Sequence, residues 1–172
     1  MAAVHLELLG DEHLQLLARL LQDPAVQRFT RIPVPVPEGF ERTWLDLYEE
    51  GRRTGAREVF AIVDGEEALG IAAAVRIEPE ARTAELGYVV APEARGRGAA
   101  TEGLRLLTEW AFSTLDALRL ELLIGSENAP SKRVAERCGY TREGLMRSVY
   151  LKPGIREDTE LWSRLPSDAA PV

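Results

Sequence analysis

The sequence predicts an α/β layer protein built on a mixed sheet rather than a regular doubly wound one. Two observations carry this. Strand-like apolar runs and helix-period stretches follow one another in the order β α α β β β α β α β β. The chain has 172 residues, 45% of them hydrophobic and 28% charged, which is enough for one domain with its own core and the composition of a soluble globular protein.

Each element has a local reason. VHLELL near the start reads as a short strand. Residues 11–23, DEHLQLLARLLQD, place Leu14, Leu17, Ala18 and Leu21 at helical spacing, with Asp11 as the expected N-cap. The three prolines of RIPVPVPEG forbid regular structure and predict a stiff, extended loop. FERTWLDLYEEGRRTG then sets Phe40, Trp44 and Leu47 on one helical face. Two apolar runs around Asp64-Gly65 read as a β-hairpin. RTAELGYVVAP is a further strand stopped by Pro92, and a helix with Leu104, Leu107 and Ala111 on one stripe follows it. LRLELLIG is a leucine-rich, buried strand. In ENAPSKRVAERCGY, Pro130 suits a first helical turn and Gly139 the stop just past the end. EGLMRSVYL and EDTELWSRL close the chain as two strands around Pro153-Gly154. Residues 1–166 are expected to form a single domain and 167–172, SDAAPV, a flexible tail.

Several classes fall away on composition. A net charge of −7 argues against general nucleic-acid binding, which shows a basic surplus. The lone Cys138 permits no internal disulfide and points to a reduced, cytoplasmic setting. Residues 1–10 lack the apolar run of a signal peptide, and no stretch approaches the roughly 20 apolar residues of a membrane span. With His5, His13 and one cysteine, no zinc-ligand spacing exists, so no metal is expected.

The informative stretch is 94–112, ARGRGAATEGLRLLTEWAF, where two glycines and two arginines open a helix. Helix starts leave backbone N–H groups unpaired and carry partial positive charge. Glycine lets that backbone approach a phosphate, and arginine adds donors. Arg95, Gly96, Arg97, Gly98, Ala99 and Ala100 therefore read as an anion cradle. It is not a lysine-containing P-loop, since no Gly-Lys-Ser/Thr follows. A dinucleotide fingerprint fails at its third glycine, where Thr101 stands, and by its position after several strands.

VAPEARGRGAA resembles the acyl-coenzyme A binding motif of the GNAT superfamily of N-acetyltransferases: arginine or glutamine, two residues, glycine, one residue, then glycine or alanine, here Arg95, Gly98 and Ala100. ELGYVVAP before it and NAPSKRVAERCGYTREG after it also match, in the expected order. The resemblance covers essentially the whole chain and looks closest to the branch that acetylates protein N-termini, including those of ribosomal proteins. That branch also holds members acting on small amines.

The resemblance implies the acyl-CoA N-acyltransferase fold, a mostly antiparallel mixed sheet of six or seven strands with helices on both faces, splayed between the fourth and fifth strands. It implies acetyl-CoA as acetyl donor, with its pyrophosphate on Arg95–Ala100 and its pantetheine arm along the backbone of Tyr88 and Val90, the acetyl carbonyl lying near a bulge in that strand. Asn128 aligns with an asparagine that bonds the pantetheine, or else caps a helix; Ser131 aligns with a serine near the sulfur, or else caps too. The tyrosine that serves other branches as acid is replaced by Ala135. The acceptor is a primary amine, on a protein N-terminus or a small molecule, and attacks directly in a ternary complex. Removing its proton calls for a carboxylate. Glu85 is the first choice, followed by Glu127, with Glu121 and Asp158 behind. Phe29, Trp44 and Tyr150 are expected to line the acceptor site. An alternative is a catalytically inactive acyl-CoA-binding sensor. Relatives are monomers or homodimers.

Overall fold

The computed structural model describes residues 4–169. Its seven strands form one sheet in the order β1-β2-β3-β4-β5-β7-β6. They are β1 (Val4–Leu8), β2 (Glu58–Asp64), β3 (Glu67–Glu78), β4 (Thr83–Val90), β5 (Arg119–Gly125), β6 (Thr141–Lys152) and β7 (Ile155–Arg164). All neighbouring pairs are antiparallel except β4 with β5. The Asp64-Gly65 hairpin joins β2 to β3, and the Pro153-Gly154 turn joins β6 to β7.

Five helices cover the sheet: α1 (Leu14–Leu21), α2 (Pro24–Phe29), α3 (Phe40–Thr54), α4 (Ala99–Thr114) and α5 (Ala129–Arg137). On one face Leu104, Leu107 and Ala111 of α4 and Ala135 of α5 pack over Ala84, Leu86, Leu120, Leu122 and Trp162. On the other, Leu16, Leu17 and Leu20 of α1 and Leu45 and Tyr48 of α3 pack over Val59, Ala61, Ile71 and Ala73. Strand alternation sends neighbouring residues of β2, β3 and β4 into opposite cores. Among the described residues, no helix is long and apolar enough to cross a membrane.

The structure corrects four sequence expectations. Two helices were expected between β1 and β2, and three occur. Asp23 ends the first stretch and caps the additional helix α2, its carboxylate accepting from the N–H of Ala25 (2.7 Å) and Val26 (3.2 Å). Pro24 stands at the start of that helix, where its missing N–H costs nothing. Asp11 is not an N-cap: the chain enters a 3-10 turn over Asp11–His13 after Gly10, and the Asp11 carboxylate pairs with Arg42 instead. The inner face of α3 runs through Leu45, Tyr48 and Gly51, and Leu47 is exposed, because the helix is rotated one position from the expected stripe. Finally, the bulge near the strand opening lies on β3. Ala74 faces Leu86 and Arg76 faces Glu85, so Val75 is the extra residue. At the C-terminus, Asp168 accepts from the Leu165 N–H (2.8 Å) and donates its own N–H to the Leu165 carbonyl (3.1 Å), closing a turn inside the expected tail. Residues 170–172 of that tail lie outside the described residues.

Candidate active site

The parallel pair β4–β5 is joined over only Thr83–Glu85 and Arg119–Glu121. Beyond that, β4 continues to Val90 and β5 to Gly125 with no pairing, so the sheet opens into a wedge. The open edge of β4 is polar backbone. Ala91 donates its N–H to Leu69 on β3 (2.8 Å), so by alternation Tyr88 and Val90 turn their backbone groups away from β3, toward the wedge.

At the wide end of the wedge stands the start of α4. Gly96 and Gly98 have φ of +74° and +83°, a left-handed backbone that glycine adopts at no steric cost. A Cβ at either would meet nothing within 4 Å, so both glycines face open space. The first N–H groups of α4, at Ala99, Ala100 and Thr101, precede any possible intrahelical acceptor. These features fit a pyrophosphate. The arginine side chains are spent differently. Arg95 bonds Asp23 (2.7 Å), and Arg97 lies 3.6 Å from Glu67. What this loop offers an anion is therefore chiefly its backbone N–H groups.

At the narrow end, Glu85 is the last residue of β4 to pair with β5, and it is 8% exposed. It points away from the core that holds Ala84 and Leu86, toward α3. Arg31 of the proline-rich loop bonds its Oε1 (3.3 Å), and Arg76 lies 3.7 Å from its Oε2. The neighbouring Tyr48 hydroxyl is pushed up to about 12, chiefly by burial, and is thereby kept protonated. The other carboxylates are placed less centrally. Glu121 pairs with Arg119 (2.6 Å), Glu127 is exposed and bonds Arg28 (2.5 Å), and Asp158 is exposed and accepts from the Ser148 N–H (2.8 Å).

Across the wedge, Asn128 caps α5, its Oδ1 accepting the Ser131 N–H (3.3 Å). The Ser131 hydroxyl meets the Tyr88 hydroxyl at 2.7 Å. Ala135 is fully buried, so a tyrosine there would have to displace the core. Cys138 is buried as well, donates to the Thr101 carbonyl (3.3 Å), and has its thiol pushed up to about 11 by burial.

The expected acceptor-site aromatics are scattered in role. Phe29 ends α2 with the Arg28 guanidinium 4.8 Å over its ring. Trp44 packs on Tyr48 at 4.2 Å and belongs partly to the core. Tyr150 is exposed on β6 with Arg156 at 5.8 Å. What sequence reasoning missed is the framework around them. Lys152 is buried and donates to the carbonyls of Gln27 and Ile32 (2.9 Å to the latter), pinning the closing hairpin to α2 and its loop. Glu157 of β7 packs its carboxylate where a Cβ on Gly125 would stand, 2.9 Å away, and pairs with Arg28 (3.2 Å). Glu160 is buried between Lys132 (3.4 Å), Arg142 (3.2 Å) and the Trp162 indole N–H (3.1 Å). The Asp23-Pro24 pair was a readable signal for α2. Nothing local marks Lys152 or Glu160.

A mixed sheet parted between its two parallel strands, with a glycine-rich helix start at the wide end, offers an extended, phosphate-bearing ligand an open strand edge and unpaired N–H groups. The model of the acetyltransferase (GNAT) domain matches residues 4–141. An uncharacterized N-acetyltransferase, p20 of Bacillus licheniformis, is 25% identical over 161 residues, 92% of this chain and 90% of its own. Among solved structures, RimL, a ribosomal L7/L12 alpha-N-protein acetyltransferase in complex with coenzyme A, superposes with a TM-score of 0.86 at 23% identity, covering 96% of this chain and 95% of its own. The spermidine N-acetyltransferase of Vibrio cholerae, in complex with coenzyme A and spermine, superposes with a TM-score of 0.83 at 21% identity, covering 96% of each chain. The chain belongs to the GNAT acetyltransferase family. It is an acetyl-CoA-dependent N-acetyltransferase, and acetyl-CoA is its donor cosubstrate.

Proposed function

We propose that this enzyme acetylates a primary amine by direct attack in a ternary complex, with Glu85 as general base. The observation that carries this reading is the position of Glu85. It is a nearly buried carboxylate at the vertex of the wedge, on the face opposite Leu86 and Tyr88 and below the loop between α2 and α3. The acyl donor supplies an activated carbonyl and a thiol leaving group. The backbone of Gly96–Ala100 holds its pyrophosphate, and the open edge at Tyr88 and Val90 pairs with its amides. Asn128 keeps its cap through Oδ1, which leaves its side-chain nitrogen to bond the pantetheine. Glu85 takes the amine proton, directly or through a water. The Ser131 hydroxyl assists the departing sulfur.

The acceptor enters between α2 with its proline-rich loop and the β6–β7 hairpin, past Phe29, Trp44 and Tyr150. One structural neighbour acts on a protein N-terminus and another holds spermine, which supports an amine acceptor in either form. The lone, buried Cys138 favours a reducing, cytoplasmic setting.

Calorimetric titration of acetyl-CoA tests the donor half. Wild type is expected to bind, and Gly98→Asp to lose at least about 100-fold in affinity, since it places a side chain and a negative charge where the phosphate sits. A screen of peptide N-termini and polyamines, read by thiol release, tests the acceptor half. Failure of the wild type to bind acetyl-CoA would remove the whole assignment of the cradle.

A further inference from the structure

Tyr88 bridges the opening of the sheet. Its ring leaves β4 three residues past the last pairing with β5, and its hydroxyl ends at the first turn of α5, the helix that follows β5. There it lies 2.7 Å from Ser131 Oγ and 3.1 Å from the Ser131 carbonyl oxygen. A helix start ordinarily offers backbone donors to an anion. At α5 they are already used. The Ala129 N–H donates to Glu127 O (3.0 Å), Pro130 has none, Ser131 donates to Asn128 Oδ1 (3.3 Å), and Lys132 donates to Asn128 O (3.2 Å). Besides the Asn128 side-chain nitrogen, the two hydroxyls are the side-chain donors left at the start of α5.

Two hydroxyls so close carry two protons and can arrange them in two ways. If the phenol donates to the carbonyl, the serine proton is spent on the phenol oxygen. If the phenol donates to Ser131 Oγ, the serine O–H is left free to turn toward the wedge. We propose that Tyr88 is a positioning residue for the leaving group: it donates to Ser131 Oγ and so aims the serine O–H at the sulfur. The inference rests on the acetyl-transfer reading above. As the carbon–sulfur bond breaks, its electron pair stays on sulfur. The aimed O–H hydrogen-bonds that thiolate, which takes its proton from water as the product leaves. Neither hydroxyl changes its own protonation state. Burial pushes the Tyr88 hydroxyl well above the usual phenol range, so it remains a donor throughout.

The test uses coenzyme A itself and needs no acceptor. The thiol of bound coenzyme A is titrated by thiolate ultraviolet absorbance, as a difference against protein alone, in wild type, Tyr88→Phe, Ser131→Ala, Ser131→Thr and the Tyr88→Phe/Ser131→Ala double variant. In wild type the bound thiol is expected to ionise below the pH at which free coenzyme A does. Tyr88→Phe should raise that titration by about one pH unit, roughly tenfold in acid dissociation constant. Ser131→Ala should raise it at least as far, the double variant should match Ser131→Ala, and Ser131→Thr should stay near wild type. An unchanged or lower titration in Tyr88→Phe overturns the proposal, because the serine proton was then never aimed by the phenol. If wild type does not bind coenzyme A, the acyl-donor reading falls and takes this inference with it. If it binds and the thiol titrates alike in every variant, the hydroxyl pair alone is dismissed.

Discussion

Glu85, the proposed general base, shows how a single side chain takes its setting from its neighbours. On sequence it is one of 28 acidic residues, distinguished only by sitting in a strand beside an expected opening. In the fold it is nearly buried, and the guanidiniums of Arg31 and Arg76 approach its two oxygens separately. A carboxylate held this way has a fixed direction, which a general base needs more than it needs exposure. Glu85→Gln keeps the shape and one of the two arginine contacts, since its amide nitrogen cannot accept from the other, and it cannot take a proton. Its expected effect is a fall in kcat of about 100-fold or more with little change in the acetyl-CoA Kd, checked by thiol-release kinetics beside calorimetry. Glu127, the second candidate, bonds an exposed arginine from an exposed position, and Glu127→Gln should leave kcat within about twofold. The alternation of β4 was enough to place Glu85 on the face opposite Leu86 and Tyr88. Its arginine partners come from 54 residues before it and from the adjoining strand, and no local pattern announces them.

The β6–β7 hairpin, the wall proposed for the acceptor site, is held by polar side-chain contacts at both ends. At the far end Lys152 donates to carbonyls of α2 and the proline-rich loop, and burial lowers its pKa. At the near end Glu143 takes a two-pronged bond from Arg119 of β5 (2.7 and 2.9 Å) and a bond from the Ser163 hydroxyl of β7. The Arg119 bonds, followed by that of Ser163, hold the Glu143 carboxyl down at about 2 against an ordinary 4.5. A depressed carboxyl stabilises the fold above its unfolded pKa and loses that contribution as pH falls through the folded one. Stability should therefore decline between about pH 4.5 and pH 2, and Glu143→Gln should flatten part of that decline. Thermal unfolding across this range is the check. The effect is modest, since the group is more than a third exposed and water screens it. The two strands and their Pro-Gly turn were legible, because period-two alternation and turn chemistry are local. The extra helix α2 carried its own signal in Asp23-Pro24, yet six residues are too few for periodicity to reveal it.

At the scale of the molecule, Asp23 joins α2 to the glycine-rich loop before α4. It caps α2, which borders the entrance proposed for the acceptor, and it also accepts from Arg95, the first residue of the loop proposed to hold the pyrophosphate. The contact spans 72 residues of chain. Asp23→Asn keeps an oxygen for the cap and weakens the ion pair, while Arg95→Gln removes the charge from the other side. A double-mutant cycle in urea should show the two effects coupled by about 1 kcal/mol, and additive losses would show that the pair holds nothing together. Most of this architecture could be read from the chain before any coordinates. Helix and strand periods, glycines able to take positive φ and a helix start without acceptors for its first N–H groups are properties of neighbouring residues, and they predicted the layered fold and the left-handed glycine loop that opens α4. The partners of the charged and hydroxyl groups could not be read in that way. Arg95 with Asp23, Tyr88 with Ser131, Glu85 with Arg31 and Lys152 with the α2 loop lie 43 to 125 residues apart. Which groups meet at such distances depends on strand order, on the bulge in β3 and on where β4 and β5 part, and those follow from packing the whole chain around two cores.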